Sequence, residues 1–259
     1  MLRRGFLNAC GAGSGFALVT PLVLDPADPV DAQPADSLRP PAKGPIRVAV
    51  LLSNGATVID FAGPWEVFQD THVASRGTSH EEQMPFQLFT VADSPEAVRV
   101  TGGLRIVPDH TVDDAPAPHV IVVPAMRASE KVLAWLRKVS PSADLTMSVC
   151  TGAFVLGRAG LLKGRPATTH HDFLDRLAQE FPDVKVERGR RFVESGRIAT
   201  AAGLTSGIHL ALRVVERYFG REVADATARY MEYERSIGAW DGPDVGQPSV
   251  QTAEPGTQF

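Results

Sequence analysis

Between residues 46 and 233 the chain alternates short apolar runs with amphipathic stretches. That alternation constrains the fold more than any other feature. Ile46–Leu52 (IRVAVLL), Phe86–Ala92 (FQLFTVA), His119–Val123 (HVIVV) and Asp144–Val149 (DLTMSV) have strand length and read as largely apolar on both faces. Strands of that kind are buried on both sides, as in parallel sheets covered by helices. Helical spacing fills the gaps. It predicts helices over Gly63–Asp70 with Pro64 in the first turn, Ser129–Val139 with Ser129 as N-cap, and Thr151–Ala159 ended by Gly160. Asp172–Glu180, Thr205–Phe219 and Arg221–Tyr233 follow the same pattern. A hairpin is expected around Gly102-Gly103 within Val98–Val107, and short strands at Val184–Val186, Arg191–Glu194 and Ile198–Ala202. The prediction is an α/β fold, a three-layer sandwich with a mainly parallel sheet, in which ligands bind at the carboxyl ends of the strands.

The flanks read differently. Residues 1–32 begin with Arg3-Arg4-Gly5-Phe6-Leu7, which matches the twin-arginine export pattern RRxFL, followed by a weakly apolar, Gly-rich stretch. That stretch is short for a membrane span, so no stable membrane anchor is expected. Cleavage after Ala32 and a periplasmic or extracellular location are the expectation. Residues 33–45, rich in Pro, Ala and Asp, read as a linker, and 234–259 as a flexible tail. Removing 1–32 takes away two Arg and three Asp, changing the formal charge from −4 to −3 and leaving Cys150 as the single cysteine. Neither value carries the basic excess of a nucleic-acid binder, so no nucleic-acid partner is expected. Two cysteines, Cys10 and Cys150, are too few for a disulfide scaffold or a Cys-based zinc site, and no metal site is predicted.

Chemistry concentrates at Ser148-Val149-Cys150-Thr151-Gly152-Ala153. An apolar strand ends on a cysteine and a helix of small residues begins at once. A turn that tight projects the side chain out of the sheet, toward the N–H groups of the next helix, and predicts a depressed thiol pKa with room for an oxyanion. A buried structural thiol is the plain alternative. GxSxG, GxGxxG after a strand, P-loop and HExxH patterns are all missing, which argues against a serine α/β-hydrolase, a dinucleotide enzyme, an NTPase and a zincin. Asp60 stands before a Gly-Pro helix start and reads either as a site acid or as a helix N-cap. His170 and His171 end a Thr-Thr strand; neighbours on a strand point to opposite faces, so they are not expected to serve one site together.

Three strings carry a resemblance: Ser148–Gly164 (SVCTGAFVLGRAGLLKG) with the following RPATTH, Thr57–Phe68 (TVIDFAGPWEVF), and Gly196–Leu212 (GRIATAAGLTSGIHLAL). Together they resemble the ThiJ/PfpI superfamily over Ile46 to Tyr233, in the branch of isonitrile hydratases and of sensor domains of AraC-type regulators. The resemblance implies a flavodoxin-like, class I glutamine amidotransferase-like sandwich and a homodimer. It implies that Cys150 is the nucleophile, Asp60 the facing acid, and Thr151 the residue after the nucleophile, where protease-like branches have His. Ala125, Gly152 and His170 are its candidates for substrate or oxyanion binding. The string Val123-Pro124-Ala125-Met126-Arg127 departs from the family's frequent Gly-Gly. The function it implies is hydration of a small isonitrile without metal or organic cofactor. The alternatives are a cysteine hydrolase or glyoxalase-like enzyme on small carbonyl compounds, and a non-enzymatic ligand-binding or redox-sensing protein.

Overall fold

A computed structural model describes residues 37–233. The predicted signal, the start of the linker and the tail from 234 lie outside the described residues. The strands are β1 (Ile46–Leu51), β2 (Phe86–Ala92), β3 (Val98–Arg99), β4 (Arg105–Ile106), β5 (His110–Thr111), β6 (Val120–Val123), β7 (Leu145–Val149), β8 (Pro166–Ala167), β9 (Lys185–Val186), β10 (Phe192–Ser195) and β11 (Ile198–Ala201). The helices are α1 (Val58–Gln69), α2 (His80–Gln83), α3 (Glu130–Val139), α4 (Gly152–Arg158), α5 (Leu174–Glu180), α6 (Ser206–Phe219) and α7 (Arg221–Tyr230).

A seven-stranded sheet runs in the order β10-β11-β7-β6-β1-β2-β5. Its pairings are parallel except for β10, which folds back antiparallel on β11. In chain order the five long parallel strands read 2-1-3-4-5, the flavodoxin-like arrangement, with the reversal between β1 and β6. The strand alternation sorts the core. Val48 and Val50 of β1 pack with α1, α6 and α7, while Ala49 and Leu51 pack with α3, α4 and α5 on the other face. Both faces of the sheet are therefore buried, which is why its strands carry so few charges.

Local chemistry accounts for most boundaries. Ser129 caps α3 by accepting from the Val132 N–H at 3.3 Å, and Val132, Leu133, Trp135 and Leu136 form its buried face. Other boundaries correct the expectations. Helix α1 starts at Val58, more than a turn before Gly63, so Pro64 lies inside it. The residue before a proline resists helix because its Cβ meets the ring; Gly63 has no Cβ, which removes that obstacle. The same missing Cβ lets α6 approach, since a Cβ on Gly63 would lie 2.8 Å from Ile208 Cγ1. Helix α7 ends at Tyr230 and not at Tyr233, with Glu232 in the left-handed region at φ 51°. Residues 37–45 carry neither helix nor strand, yet Leu38 donates to the Arg217 carbonyl at 2.8 Å and packs on the core, so this stretch is docked rather than a loose tether. The short capped helix α2 and the edge strand β5 were not expected from the periodicity.

Candidate functional site

Four chain segments meet at the carboxyl edge of the sheet: the β7–α4 corner, helix α1, the segment after β6, and the turn after β11. Cys150 is the one-residue corner between β7 and Thr151, and it takes φ 57°. A left-handed conformation costs a non-glycine residue about 1–3 kcal/mol. Here it is imposed from both sides. The Cys150 N–H donates to the Ala202 carbonyl at 2.8 Å, and its carbonyl accepts from the buried Thr169 hydroxyl at 2.8 Å. Gly152 makes the corner possible. A Cβ there would collide with the Val123 carbonyl oxygen and lie 2.9 Å from that of Pro124. The sharp turn of the sequence reading is therefore a steric fact about one glycine and two backbone carbonyls.

Asp60 lies fully buried in the first turn of α1. It is the third residue of the helix, so the N-cap reading fails: Thr57 holds that position. The Asp60 side chain instead turns across the sheet edge, where Oδ2 accepts the Ala125 N–H at 3.2 Å and Oδ1 has no hydrogen-bond partner. The Cys150 thiol and the Leu204 N–H also favour its charged form, but burial outweighs all three and pushes its pKa from 3.8 up to about 6.

The thiol contradicts the expected depression. Burial, followed by the neighbouring Asp60 charge, pushes Cys150 from 9.0 up to about 11. The N–H groups of Thr151 and Leu204, with the Thr151 hydroxyl, pull the other way and lose. The reason is size: α4 has seven residues and an apolar surround, so its end offers little field against the desolvation of a thiolate that is 8% exposed. At neutral pH the pair holds one proton, mainly on sulfur.

The other sequence candidates sort out as follows. Thr151 faces the sulfur through both its N–H and its hydroxyl. The Ala125 N–H is committed to Asp60 and so holds the acid in place rather than standing open for an oxyanion. Gly152 supplies space. His170 stands beside the corner without reaching the sulfur: its ring lies against Gly203, and its Nδ1 accepts from the Asp172 N–H at 3.3 Å. His170 and His171 do not lie on a strand, as expected, but at the start of a 3-10 turn over His171–Phe173. Their rings therefore share a side and stack at 4.3 Å. Sequence reasoning missed Leu204, whose N–H serves both Cys150 and Asp60 and which is itself left-handed at φ 54°. It also missed Thr169. Only their position inside the strings that carry the family resemblance hinted at either: the Leu204 backbone donor leaves no side-chain signature, and the Thr169 hydroxyl meets a carbonyl nineteen residues away in the chain.

Comparison with known proteins places the fold in a family. The DJ-1/PfpI family pattern matches residues 46–217. The isonitrile hydratase of Pseudomonas putida is 30% identical over 198 residues, covering 73% of this chain and 78% of that protein. The transcriptional regulator GbdR of Pseudomonas aeruginosa is 26% identical over 206 residues; the match takes in 78% of this chain but about half, 54%, of the regulator. Among solved structures, a ThiJ/PfpI family protein from Pseudomonas syringae superposes with a TM-score of 0.64 at 29% identity, covering 75% of this chain and 78% of that one. Drosophila melanogaster DJ-1beta superposes with a TM-score of 0.62 at 19% identity, covering 74% of this chain and all of that one, a likeness of fold alone.

Proposed function

We propose, from the premise that this chain belongs to the DJ-1/PfpI family, that it is a cysteine-dependent hydratase converting a small isonitrile into an N-substituted formamide. The observation that carries the reading is the Cys150–Asp60 pair: a buried thiol beside a buried carboxylate whose pKa of about 6 lies near working pH. A group tuned there can both take and give a proton. Asp60 accepts the thiol proton as sulfur bonds to the terminal carbon of R–N≡C. It then delivers that proton to the same carbon, giving the thioimidate R–N=CH–S–Cys150. Asp60, ionised again, draws a proton from water as the oxygen adds to that carbon, and the nitrogen is protonated. Collapse breaks the C–S bond, releases R–NH–CHO and returns the proton to sulfur. The cycle makes and breaks one carbon–sulfur bond, adds water across the terminal carbon and nitrogen, and moves protons with no net oxidation or reduction, so the chemistry calls for no cofactor.

The raised thiol pKa suits this cycle. A sulfur that ionises only as it attacks stays inert between turnovers. The groups that tune the sulfur are Asp60, Thr151 and Leu204, with no imidazole among them, which weakens a Cys-His hydrolase reading. The regulator match favours one other reading, ligand binding without turnover.

The test is incubation of the purified protein with a simple alkyl isonitrile and detection of the formamide. Asp60→Asn is expected to lower the rate by about 10²–10⁴, and Cys150→Ser at least as far. The double variant should lose little more than the worse single one, because the two groups act as a unit. Wild-type turnover in Cys150→Ser, or isonitrile binding with no formamide formed, overturns the hydratase reading.

A further inference from the structure

Beside the cysteine corner, the 3-10 turn gathers three groups that this reaction does not use. His170 Nδ1 lies 3.6 Å from Asp172 Oδ2, and His171 Nε2 lies 3.1 Å from Asp172 Oδ1. The ligating atoms of the three residues fall within 4.8 Å of one another. We propose that His170, His171 and Asp172 form a binding site for a zinc-class divalent cation beside the Cys150 corner.

The geometry sets the ligands. His170 Nδ1 faces Asp172 Oδ2 and accepts the Asp172 N–H only at 3.3 Å, a long bond that a cation on this nitrogen would replace. The spacing agrees. With bonds of about 2.0–2.1 Å, the ligand atoms around tetrahedral zinc stand roughly 3.3–3.4 Å apart; the two measured separations, one to each Asp172 oxygen, straddle that distance, and the atoms of all three residues lie within 4.8 Å, so a small turn of the exposed His171 closes the set. Two imidazoles with one carboxylate are a borderline donor set, which selects zinc, cobalt, nickel or copper over magnesium or calcium.

The surroundings divide the work. His170 is held: its side chain is 18% exposed, its ring packs on Gly203, and Phe173 meets it edge-on at 5.8 Å. His171 and Asp172 are 80% and 65% exposed, so they can turn onto a cation once it arrives, and water completes the coordination. The site is coupled to the corner through two adjacent residues. Thr169 holds the Cys150 carbonyl, and Gly203 precedes the Leu204 N–H that faces the sulfur. Fixing the His170 ring therefore steadies the two segments that flank the thiol.

The experiment is titration of the full chain, without an affinity tag, with Co²⁺ followed by visible absorption, then displacement by Zn²⁺. Binding in the micromolar range with a low-symmetry cobalt spectrum is expected. His171→Asn and Asp172→Asn should each weaken it at least tenfold; both lie at the surface, and thermal melts check that the fold is kept. Two controls exclude the other candidates. Cys150→Ser removes the buried thiol. His80→Asn removes the surface pair in which His72 Nε2 lies 3.2 Å from His80 Nδ1. Both should bind cobalt within twofold of the unaltered protein. The proposal is overturned if no binding appears at millimolar cobalt. It is also overturned if affinity survives His171→Asn and Asp172→Asn but falls with either control. Formamide production plays no part in the readout, so failure here leaves the hydratase reading standing.

Discussion

Two strands, β7 of the large sheet and β8 of a separate two-stranded sheet with β9, end in different ways within about twenty residues of one another. After β7 the chain turns in one residue: Cys150 goes left-handed, Gly152 slides under two carbonyl oxygens, and the side chain is pushed into the buried edge of the sheet. After β8 it leaves gradually, through Thr168 and Thr169 into a 3-10 turn that lays two imidazoles on one side in partial contact with water. The first exit fixes a side chain by backbone sterics and desolvates it. The second fixes one ring and lets its neighbours move. Burial is what separates their chemistry: it raises both Cys150 and Asp60, whereas the histidine turn keeps water at hand.

The two glycines that serve these exits offer the largest test of the contrast. Gly152→Ala drives a methyl into backbone carbonyls that cannot step aside. It should cost about 3 kcal/mol, at the upper end for overpacking, and remove the Cys150 geometry with it. Gly203→Ala drives a methyl into the His170 ring, colliding with Cδ2 and lying 3.1 Å from Nε2, but the obstacle is a side chain and not backbone. It should cost about 1–2 kcal/mol. Paired thermal melts check the ranking, and equal losses would erase the distinction between a backbone-locked and a side-chain-lined exit.

A smaller effect reads the buried charge. Because the folded pKa of Asp60 is raised from 3.8 to about 6, the native state holds a proton more firmly than the unfolded chain across that window. Asp60 therefore adds stability as pH falls through it and withdraws that stability as pH rises. The shift corresponds to about 3 kcal/mol between the two ends. Asp60→Asn has no such titration. Relative to the unaltered protein it should be more stable at pH 7 than at pH 4 by about 2–3 kcal/mol, measured by denaturant unfolding. A difference independent of pH would place the carboxylate in water.

The same contrast explains what was legible in the sequence. Strands β1, β2, β6 and β7 are apolar because both faces are covered, and their runs stand out in the text of the chain. The cysteine corner was legible because a strand, a cysteine and a small-residue helix follow without a spacer. The sign of the thiol shift was not, since it depends on burial and on Asp60, ninety residues away in the chain and adjacent in space. The start of α1 was hidden by Pro64, an ordinary helix breaker that Gly63 makes tolerable. The histidine pair was misread because two threonines extend the strand pattern past the point where the chain turns. Leu204 acts through its backbone, which no side-chain pattern reports.

The claim on which these readings rest is that Cys150 and Asp60 share one proton, held on sulfur by burial and by the carboxylate charge. The direct measurement is the rate of Cys150 alkylation by iodoacetamide against pH, in the unaltered protein and in Asp60→Asn. The account predicts a midpoint well above the ordinary 9.0 in the unaltered protein and a lower one in Asp60→Asn, because the repelling charge is gone. A midpoint below 9.0 that does not move on substitution would contradict it.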